Sequence, residues 1–339
     1  MRIRTPRKKG KPRKRKKQLG RKRRSTHSSP KFIRNQVEQG EARLVEAVHE
    51  EEAEGNKAET GQPAGFMEGY EKGYQEGRYA GGEEIIDQLL PPNIIFPDLS
   101  LKQIIAAGVS MHMEDAISLM LPEQVRDTVL QAMEEKRPLS IVRLGDGELL
   151  TMAQEVVMPV DQVRREGKFL EYAGVRVPDL ETRNRLVEAV TGADIVGIPR
   201  TRMPNYQLLV SPVFQAYGLS LREKQWTDSL INYSLCTEGC LLPILQNRRV
   251  LLIGNMAEPL SAVLAHRGLS VAGVVSPVNG ARDAARVVAL ARQYDFDIAL
   301  VSAGIAAVLI TEELARVTGK VAIDFGHLAN ALIKGEAPL

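Results

Sequence analysis

Residues 140–150 read Ser-Ile-Val-Arg-Leu-Gly-Asp-Gly-Glu-Leu-Leu, an apolar run that ends abruptly in two carboxylates separated by one glycine. The run predicts a buried strand over Leu139–Leu144, because a short apolar segment bounded by turn residues is typical of a strand covered on both faces. The glycines of the turn permit a tight backbone and close approach of a ligand. Asp146 and Glu148 offer the hard oxygen ligands that Mg²⁺ and Mn²⁺ prefer. A plain turn or helix cap is the alternative reading of the same carboxylates.

The rest of the C-terminal two thirds alternates apolar runs with helical patterns. Five more runs predict strands: Ile195–Ile198, Val250–Ile253, Val271–Val275, Ile298–Val301 and Val321–Phe325. Four stretches predict helices: Pro122–Glu135, Glu258–Arg267, Ala281–Tyr294 and Ile305–Thr318. Continuous apolar strands separated by helices predict an α/β fold, with a Rossmann-like, mostly parallel sheet and helices on both faces.

Three regions are predicted along the chain. Residues 1–63 are charged and poor in large apolar side chains, basic at first and acidic later, which predicts disorder. Residues 64–120 hold a glycine repeat and a helical linker, and residues 121–335 form the α/β domain. In the repeat, glycine recurs every fourth residue, at Gly65, Gly69, Gly73, Gly77 and Gly81. Residues 65–81 therefore form either a helix whose bare glycine stripe allows self-association, or a flexible spacer.

The charge of the chain is unevenly distributed. Residues 1–24 hold 15 of the 45 Lys and Arg residues and none of the 42 Asp and Glu residues. Such a tail is either a solvated polyelectrolyte or a binding element for nucleic acid, another polyanion or an anionic membrane surface. Because neither a signal peptide nor an apolar run of about 18 residues occurs, we expect a cytoplasmic protein, peripheral where the tail meets an anionic surface. Cys236 and Cys240 are expected to be buried reduced thiols.

Small residues follow two of the predicted strands at the points where helices begin. They are Gly254 and Asn255 after one strand and Ser302 and Gly304 after another. Ligands of parallel sheets bind at the carboxyl ends of the strands, and the free N–H groups of a helix start favour phosphate. These four residues are therefore candidates for binding the phosphates of a nucleotide. The dinucleotide and P-loop glycine motifs do not occur at these turns.

Further polar residues have open roles. Arg200 and Arg202 follow the second strand and could clamp a diphosphate or lie solvated on the surface. Trp226 could stack on a base or sugar ring, or pack in the core. For a general base the candidates are Asp324 and His327, after the last strand, and Glu258; the residues alone do not select among them.

Three segments together resemble a known family, the GT-D fold glycosyltransferases. They are S-I-V-R-L-G-D-G-E, the apolar strand that runs into Ser302-Ala303-Gly304, and the closing A-I-D-F-G-H, and the resemblance covers roughly residues 120–335. In that family a D-x-E motif serves the nucleotide sugar and its metal, and a C-terminal D-x-G-H segment closes the same site. The resemblance implies that Asp146 and Glu148 are the D-x-E pair. Where the family carries an arginine-containing segment, this chain reads Asn232-Tyr233-Ser234.

The resemblance further implies that Arg143 orders the loop or meets phosphate, and that Asp324 and His327 lie in the catalytic site. It implies a transferase that uses Mn²⁺ or Mg²⁺ and moves a sugar from a nucleotide donor, such as a UDP-sugar, to a protein or glycan acceptor. The alternative function is a polyanion-binding or nucleic-acid-binding protein, or an assembly adaptor, whose α/β body is not catalytic.

Overall fold

The computed structural model describes residues 66–339, with side chains from residue 69 onward. The chain divides into two compact units, Met1–Ala106 and Ala107–Leu339. The predicted disorder of residues 1–63 and the basic stretch 1–24 lie outside the described residues. No helix among residues 66–339 is both long and apolar enough to cross a membrane.

Residues 66–80 of the glycine repeat form a helix. The first unit contains α1 (Phe66–Ala80) and α2 (Glu83–Leu89), and α3 (Leu101–Met111) crosses into the second unit. A side chain added at Gly69, Gly73 or Gly77 would meet nothing within 4 Å. The helix therefore carries the bare glycine stripe that a glycine at every fourth residue predicts. The spacer alternative is therefore wrong for residues 66–80, while self-association stays a prediction.

The second unit alternates strands and helices. Its strands are β1 (Leu139–Arg143), β2 (Ile195–Ile198), β3 (Gln225–Asp228), β4 (Arg249–Gly254), β5 (Ser270–Val275), β6 (Ile298–Ser302) and β7 (Val321–Asp324). Its α-helices are α4 (Pro122–Glu134), α5 (Asp146–Ala153), α6 (Val160–Glu166), α7 (Leu180–Gly192), α8 (Gln207–Ala216), α9 (Ile231–Thr237), α10 (Leu241–Leu245), α11 (Ala257–His266), α12 (Ala284–Ala291), α13 (Ala306–Thr318) and α14 (Leu328–Lys334). Short 3₁₀ turns occupy Met113–Asp115, Lys168–Leu170 and Ala281–Asp283.

All seven strands pair in parallel in the order β3-β2-β1-β7-β6-β4-β5. The predicted α/β class and the six predicted strands are confirmed. β3 is an additional strand, and its Trp226 is buried in the core, where the indole N–H donates to the Leu221 carbonyl at 2.6 Å and the ring packs edge-on against Phe214. The core alternative for Trp226 is therefore correct.

Two apolar clusters cover the two faces of the sheet. Side chains alternate along a strand, so Val142 of β1 enters one cluster and its neighbour Ile141 enters the other. Helix α13 packs on β1 and β7 on the first face, and α11 and α14 pack together on the second. The predicted helical cover on both faces is confirmed, and Cys236 and Cys240 are buried free thiols, as expected.

Strands β4 and β6 approach each other closely at their carboxyl ends. Gly254 pairs with Ser302 in the ladder, and its φ of 138° lies in a region that side chains rarely adopt. A Cβ atom at position 254 would stand 2.0 Å from the Ser302 carbonyl oxygen. Only glycine fits this position, so its presence in the sequence has a structural reason.

We expect Gly254→Ala to lower the free energy of unfolding by about 3 kcal/mol or more, because the methyl group forces the two strand ends apart. Gly268→Ala is the matched control, since Gly268 also has a positive φ, 75°, but open space around it. Backbone strain alone should cost it about 1 kcal/mol. Urea unfolding measures both, and equal losses would contradict the steric argument.

Candidate functional site

The carboxyl ends of the strands bring the predicted site residues to one edge of the sheet. Because all strands are parallel, the segments after β1, β2, β4, β6 and β7 leave from the same edge. From one end of this edge to the other, the strand order places the following residues side by side: Asp228, Arg200, the segment 143–148, Asp324, Ser302 and Gly254. Asp146, Glu148 and Asp324 therefore lie around β1 and β7, and the small residues around β6 and β4.

Arg143 is the centre of the acidic half. Its Nη2 donates to Asp324 Oδ1 at 2.9 Å and its Nε to the Asp324 carbonyl oxygen at 3.1 Å. Its Nη1 donates to the Ser229 carbonyl oxygen at 2.9 Å and to Asn232 Oδ1 at 3.3 Å. One guanidinium thus joins the ends of β1 and β7 to the start of α9. Of the two roles implied for Arg143, these contacts fit the ordering of the site.

Two glycines leave space next to Arg143, Gly326 beside its guanidinium and Gly197 beside its aliphatic stem and the backbone of Asp228 and Ser229. A Cβ atom at Gly326 would lie 1.9 Å from Arg143 Nη2, and one at Gly197 would lie 3.2 Å from Arg143 Cγ. Asn232, which is buried, also donates from Nδ2 to the Phe325 carbonyl oxygen at 2.8 Å. Asn232 therefore ties the turn after β7 to α9.

The D-x-E carboxylates lie on a helix rather than in a loop. Helix α5 begins at Asp146, directly after the N-cap Gly145. Glu148 turns back to accept the Gly145 N–H through Oε2 at 2.8 Å, and Asp146 Oδ1 accepts the Gly147 N–H at 2.9 Å. The helix-cap alternative for Glu148 is thus present in the structure. A carboxylate has about four lone-pair positions, so the cap leaves capacity for a further ligand.

Burial perturbs both carboxylates of this motif. Loss of solvent, and then the nearby charge of Asp324, raises the pKa of Glu148 from 4.5 to about 7. Loss of solvent also raises the pKa of Asp146, against hydrogen bonds from Gly147 and from the Tyr206 hydroxyl that lower it. Arg143 is the cation that lowers the pKa of Glu148, and it is already bound to Asp324. The acidic half therefore holds more negative charge than its own arginine neutralises.

This excess of carboxylate charge suits a divalent cation. Within residues 69–339 no group of three His, Cys, Asp or Glu side chains is arranged to hold a metal ion. Mg²⁺ is commonly bound by one or two carboxylates, with water and substrate phosphates completing its shell. The donor set of Asp146 and Glu148 fits that open kind of site and does not fit a closed protein cage.

The small-residue half is built differently. Asn255 is pinned by its side-chain amide, which accepts the Val278 N–H at 2.8 Å and donates to the Val278 carbonyl oxygen at 3.3 Å. The Ser302 hydroxyl oxygen is buried and has no hydrogen-bond partner among the described residues. A buried polar atom without a hydrogen-bond partner destabilises the folded protein, and it is available to bond a ligand. Gly304, with φ of 53°, precedes α13 and is exposed.

The remaining candidates lie at the rim. Arg200 is 63% exposed and stands 3.9 Å from Asp228, whose pKa burial raises. Arg202 is exposed and bonds Gln207 of α8. His327 and Glu258 are exposed, whereas Asp324 is buried. Sequence reasoning did not identify Tyr206, Asn232 or Gly197 as parts of this edge.

A seven-stranded parallel sheet with helices on both faces defines a Rossmann-like α/β protein, and acidic residues lie at its carboxyl edge, where parallel sheets bind their ligands. The chain belongs to the GT-D-like family: the GT-D fold-like domain matches residues 120–332. No curated protein matches the sequence significantly.

Two solved structures are similar to this chain. One, described as domain of unknown function 1792 with a distinct glycosyltransferase fold, is 16% identical with a TM-score of 0.45 and covers 68% of this chain and 85% of its own. The other, a selenomethionine-substituted structure of domain of unknown function 1792, is 14% identical with a TM-score of 0.42 and covers 65% and 82%.

We expect Arg143→Met to lower the free energy of unfolding by about 3 kcal/mol, because it leaves the buried Asp324 carboxylate without its cation. The matched control, Arg200→Met, breaks an exposed ion pair and should cost less than about 1 kcal/mol. Denaturant unfolding at pH 7 measures the two variants. Similar small losses would contradict the central role of Arg143.

The raised pKa of Glu148 predicts that the stability difference between the original protein and Glu148→Gln depends on pH. A chelator keeps both proteins free of metal during the measurement. The folded protein holds the Glu148 proton up to about pH 7, whereas the unfolded chain releases it near 4.5. This contribution to stability is therefore complete below pH 4.5 and is lost as the pH rises through 7. Glu148→Gln should gain in Tm relative to the original protein as the pH rises from 4.5 to 8. Glu134→Gln, an exposed control on α4, should show a flat difference, and a flat profile for Glu148→Gln would contradict the assignment.

Proposed function

We propose that this protein is a metal-dependent glycosyltransferase that moves a sugar from a nucleotide-sugar donor to a protein or glycan acceptor. The observation that carries the proposal is the pair Glu148 and Asp324 beside Arg143, with Asp146 at the start of the same helix as Glu148, at the carboxyl edge of a GT-D-like domain. Family membership supports glycosyl transfer as the reaction class. The chemistry of the site supports a phosphate-bearing donor and a cation.

The small-residue half is the proposed diphosphate site. The unpartnered hydroxyl of Ser302 can donate to a phosphate oxygen, and Gly304, exposed just before α13, lets phosphate approach the backbone. Asn255 holds the turn after β4 in place through Val278. Arg200, exposed at the other end of the edge, is proposed to meet the donor phosphates or the acceptor through its free guanidinium face.

Asp146 and Glu148 are the proposed ligands of Mn²⁺ or Mg²⁺. When bound, the cation would neutralise charge on the departing diphosphate. Arg143 holds Asp324 through an ion pair and a bond to its backbone carbonyl. These contacts keep the Asp324 carboxylate fixed beside Glu148. Asp324 Oδ1 accepts hydrogen bonds from Arg143 and from the Gly326 N–H, so we assign Asp324 an ordering role. His327, exposed in the same turn, is the proposed general base for the acceptor hydroxyl.

The donor nucleotide is proposed to be UDP, and the protein is proposed to act in the cytoplasm. Residues 1–24, with 15 basic and no acidic side chains, are proposed to hold it at an anionic polymer or membrane surface by release of counterions. Helix α1, through its glycine stripe, is proposed as a self-association element. These modules are compatible with a catalytic α/β domain in the same chain.

Glu148→Ala is expected to abolish Mn²⁺-dependent hydrolysis of UDP-sugars, at least a hundredfold in kcat/KM, because the cation loses a ligand. The full-length protein is assayed for release of UDP with and without Mn²⁺, over a panel of UDP-sugars. Glu134→Ala is the control, since Glu134 is exposed at the end of α4, before β1 begins.

Circular dichroism establishes that both variants are folded. A folded Glu148→Ala protein with full activity would overturn the metal site. Loss of activity in both variants would overturn the assignment of the carboxyl edge as the active site.

A further inference from the structure

Residues 167–175, which connect α6 to α7, contact several strand ends at the carboxyl edge of the sheet. This crossing segment contains the 3₁₀ turn Lys168–Leu170. Its backbone is closed by two hydrogen bonds, from the Ala173 N–H to the Phe169 carbonyl oxygen at 2.9 Å and from the Val175 N–H to the Leu170 carbonyl oxygen at 2.8 Å. Leu170 and Val175 are fully buried. The crossing segment is therefore fixed to the α/β domain.

The contacts of the crossing segment follow the order of the strands. At the β1 end, Phe169 Cε2 lies 3.4 Å from the position that a Cβ atom on Gly147 would take, between the two D-x-E carboxylates. At the β6 end, the Ala173 carbonyl oxygen lies 3.5 Å from the corresponding position on Gly304. Beyond β6, the Gly174 carbonyl oxygen accepts an N–H at 3.3 Å from the 3₁₀ turn that follows β5. The segment thus runs from the acidic half of the edge to the small-residue half.

Tyr172 is the aromatic side chain that this segment leaves in solvent. It is 98% exposed, more than any other large apolar residue among residues 69–339. Its backbone is held, because Ala173 on one side lies over Gly304 and Leu170 on the other is buried. A tyrosine has only two rotatable side-chain bonds, so its ring loses little entropy when a ligand packs on it. An exposed ring on a fixed backbone is suited to stacking on a flat ligand.

The position of Tyr172 selects the part of a nucleotide sugar that could stack there. Tyr172 adjoins Ala173, which lies over Gly304 in the proposed diphosphate site. In a nucleotide sugar the diphosphate joins the sugar to the nucleoside, so both lie within reach of the phosphate site. The base is the flat, aromatic ring of such a donor, and every base offers a face that stacks on aromatic side chains.

We propose that Tyr172 stacks on the base of the donor nucleotide. This inference rests on the proposed function, which places the donor diphosphate beside Ser302 and Gly304. It names a part of the donor that the α/β domain recognises in addition to the phosphates, and it assigns that recognition to the crossing segment.

The experiment compares a ligand that has a base with one that has none. Isothermal titration calorimetry of the full-length protein with Mg²⁺ measures the affinities for UDP and for inorganic diphosphate. We expect Tyr172→Ala to lower the ratio of the UDP affinity to the diphosphate affinity about tenfold, because only the base loses a contact. Tyr172→Phe should keep the ratio of the original protein, since phenylalanine offers the same ring face. Both variants should keep the original Tm, because Tyr172 is exposed.

Glu171→Ala is the matched control in the same segment. The Glu171 side chain is 75% exposed, and its carboxylate lies 3.4 Å from Arg176 Nε. Removing its charge acts on the phosphates of UDP and of diphosphate alike, so the affinity ratio should not change. An equal fall of the ratio in Tyr172→Ala and Glu171→Ala would overturn the stacking role.

Glu148→Ala separates the possible failures. If Glu148→Ala loses both ligands while Tyr172→Ala keeps the original ratio, the stacking role is wrong and the proposed function stands. If Glu148→Ala binds both ligands as the original protein does, the metal site of the proposed function fails, and the ratio for Tyr172→Ala still decides the stacking role. An unchanged ratio for Tyr172→Ala with a raised KM for the acceptor would assign the ring to the acceptor and overturn the proposal.

Discussion

The ion pair between Arg143 and Asp324 is the interaction on which the carboxyl edge depends. It joins two neighbouring strands whose residues are 181 positions apart in the chain, and the same guanidinium reaches two residues around the start of α9. A buried charge pair of this kind is costly to desolvate and is favourable only when its hydrogen bonds are satisfied. Here the satisfying groups are backbone carbonyls and a buried asparagine, and the glycine at position 326 leaves the space that the guanidinium needs. This glycine, the asparagine and the carboxylate are therefore parts of a single constraint.

Much of the fold could be predicted from the sequence because the central strands are continuous apolar runs. β3 was not predicted, since Gln225, Trp226, Thr227 and Asp228 give no such run; it lies at the end of the sheet, where one strand edge has no partner in the sheet. Helix α5 was also not predicted. Residues 149–153 are buried all round, so no amphipathic period marks the helix, and the glycines among its first residues favour a turn instead. In each case the environment in the folded protein, rather than local propensity, decides the structure.

The site could be predicted only where a residue follows a recognisable strand. Asp146, Glu148, Ser302 and Asp324 do so, and the parallel sheet brings them to a common edge. Tyr206 and Asn232 do not, because they come from a turn and a short helix whose positions depend on the tertiary fold. The sequence also does not predict which side chains lie beside each carboxylate of the D-x-E pair. No spacing in the chain indicates that Glu148 lies beside Asp324 while Asp146 lies beside Tyr206.

Helix α5 has a further consequence, because it begins at the first carboxylate of the motif. A coordinating side chain on a flexible loop loses conformational entropy when binding orders it, and that loss lowers the affinity for what it binds. Asp146 and Glu148 instead have helical backbone angles and hydrogen-bonded side chains before any ligand arrives. The entropy of ordering them is lost when the domain folds. These two carboxylates are thus held in place by the helix and its hydrogen bonds in the folded domain.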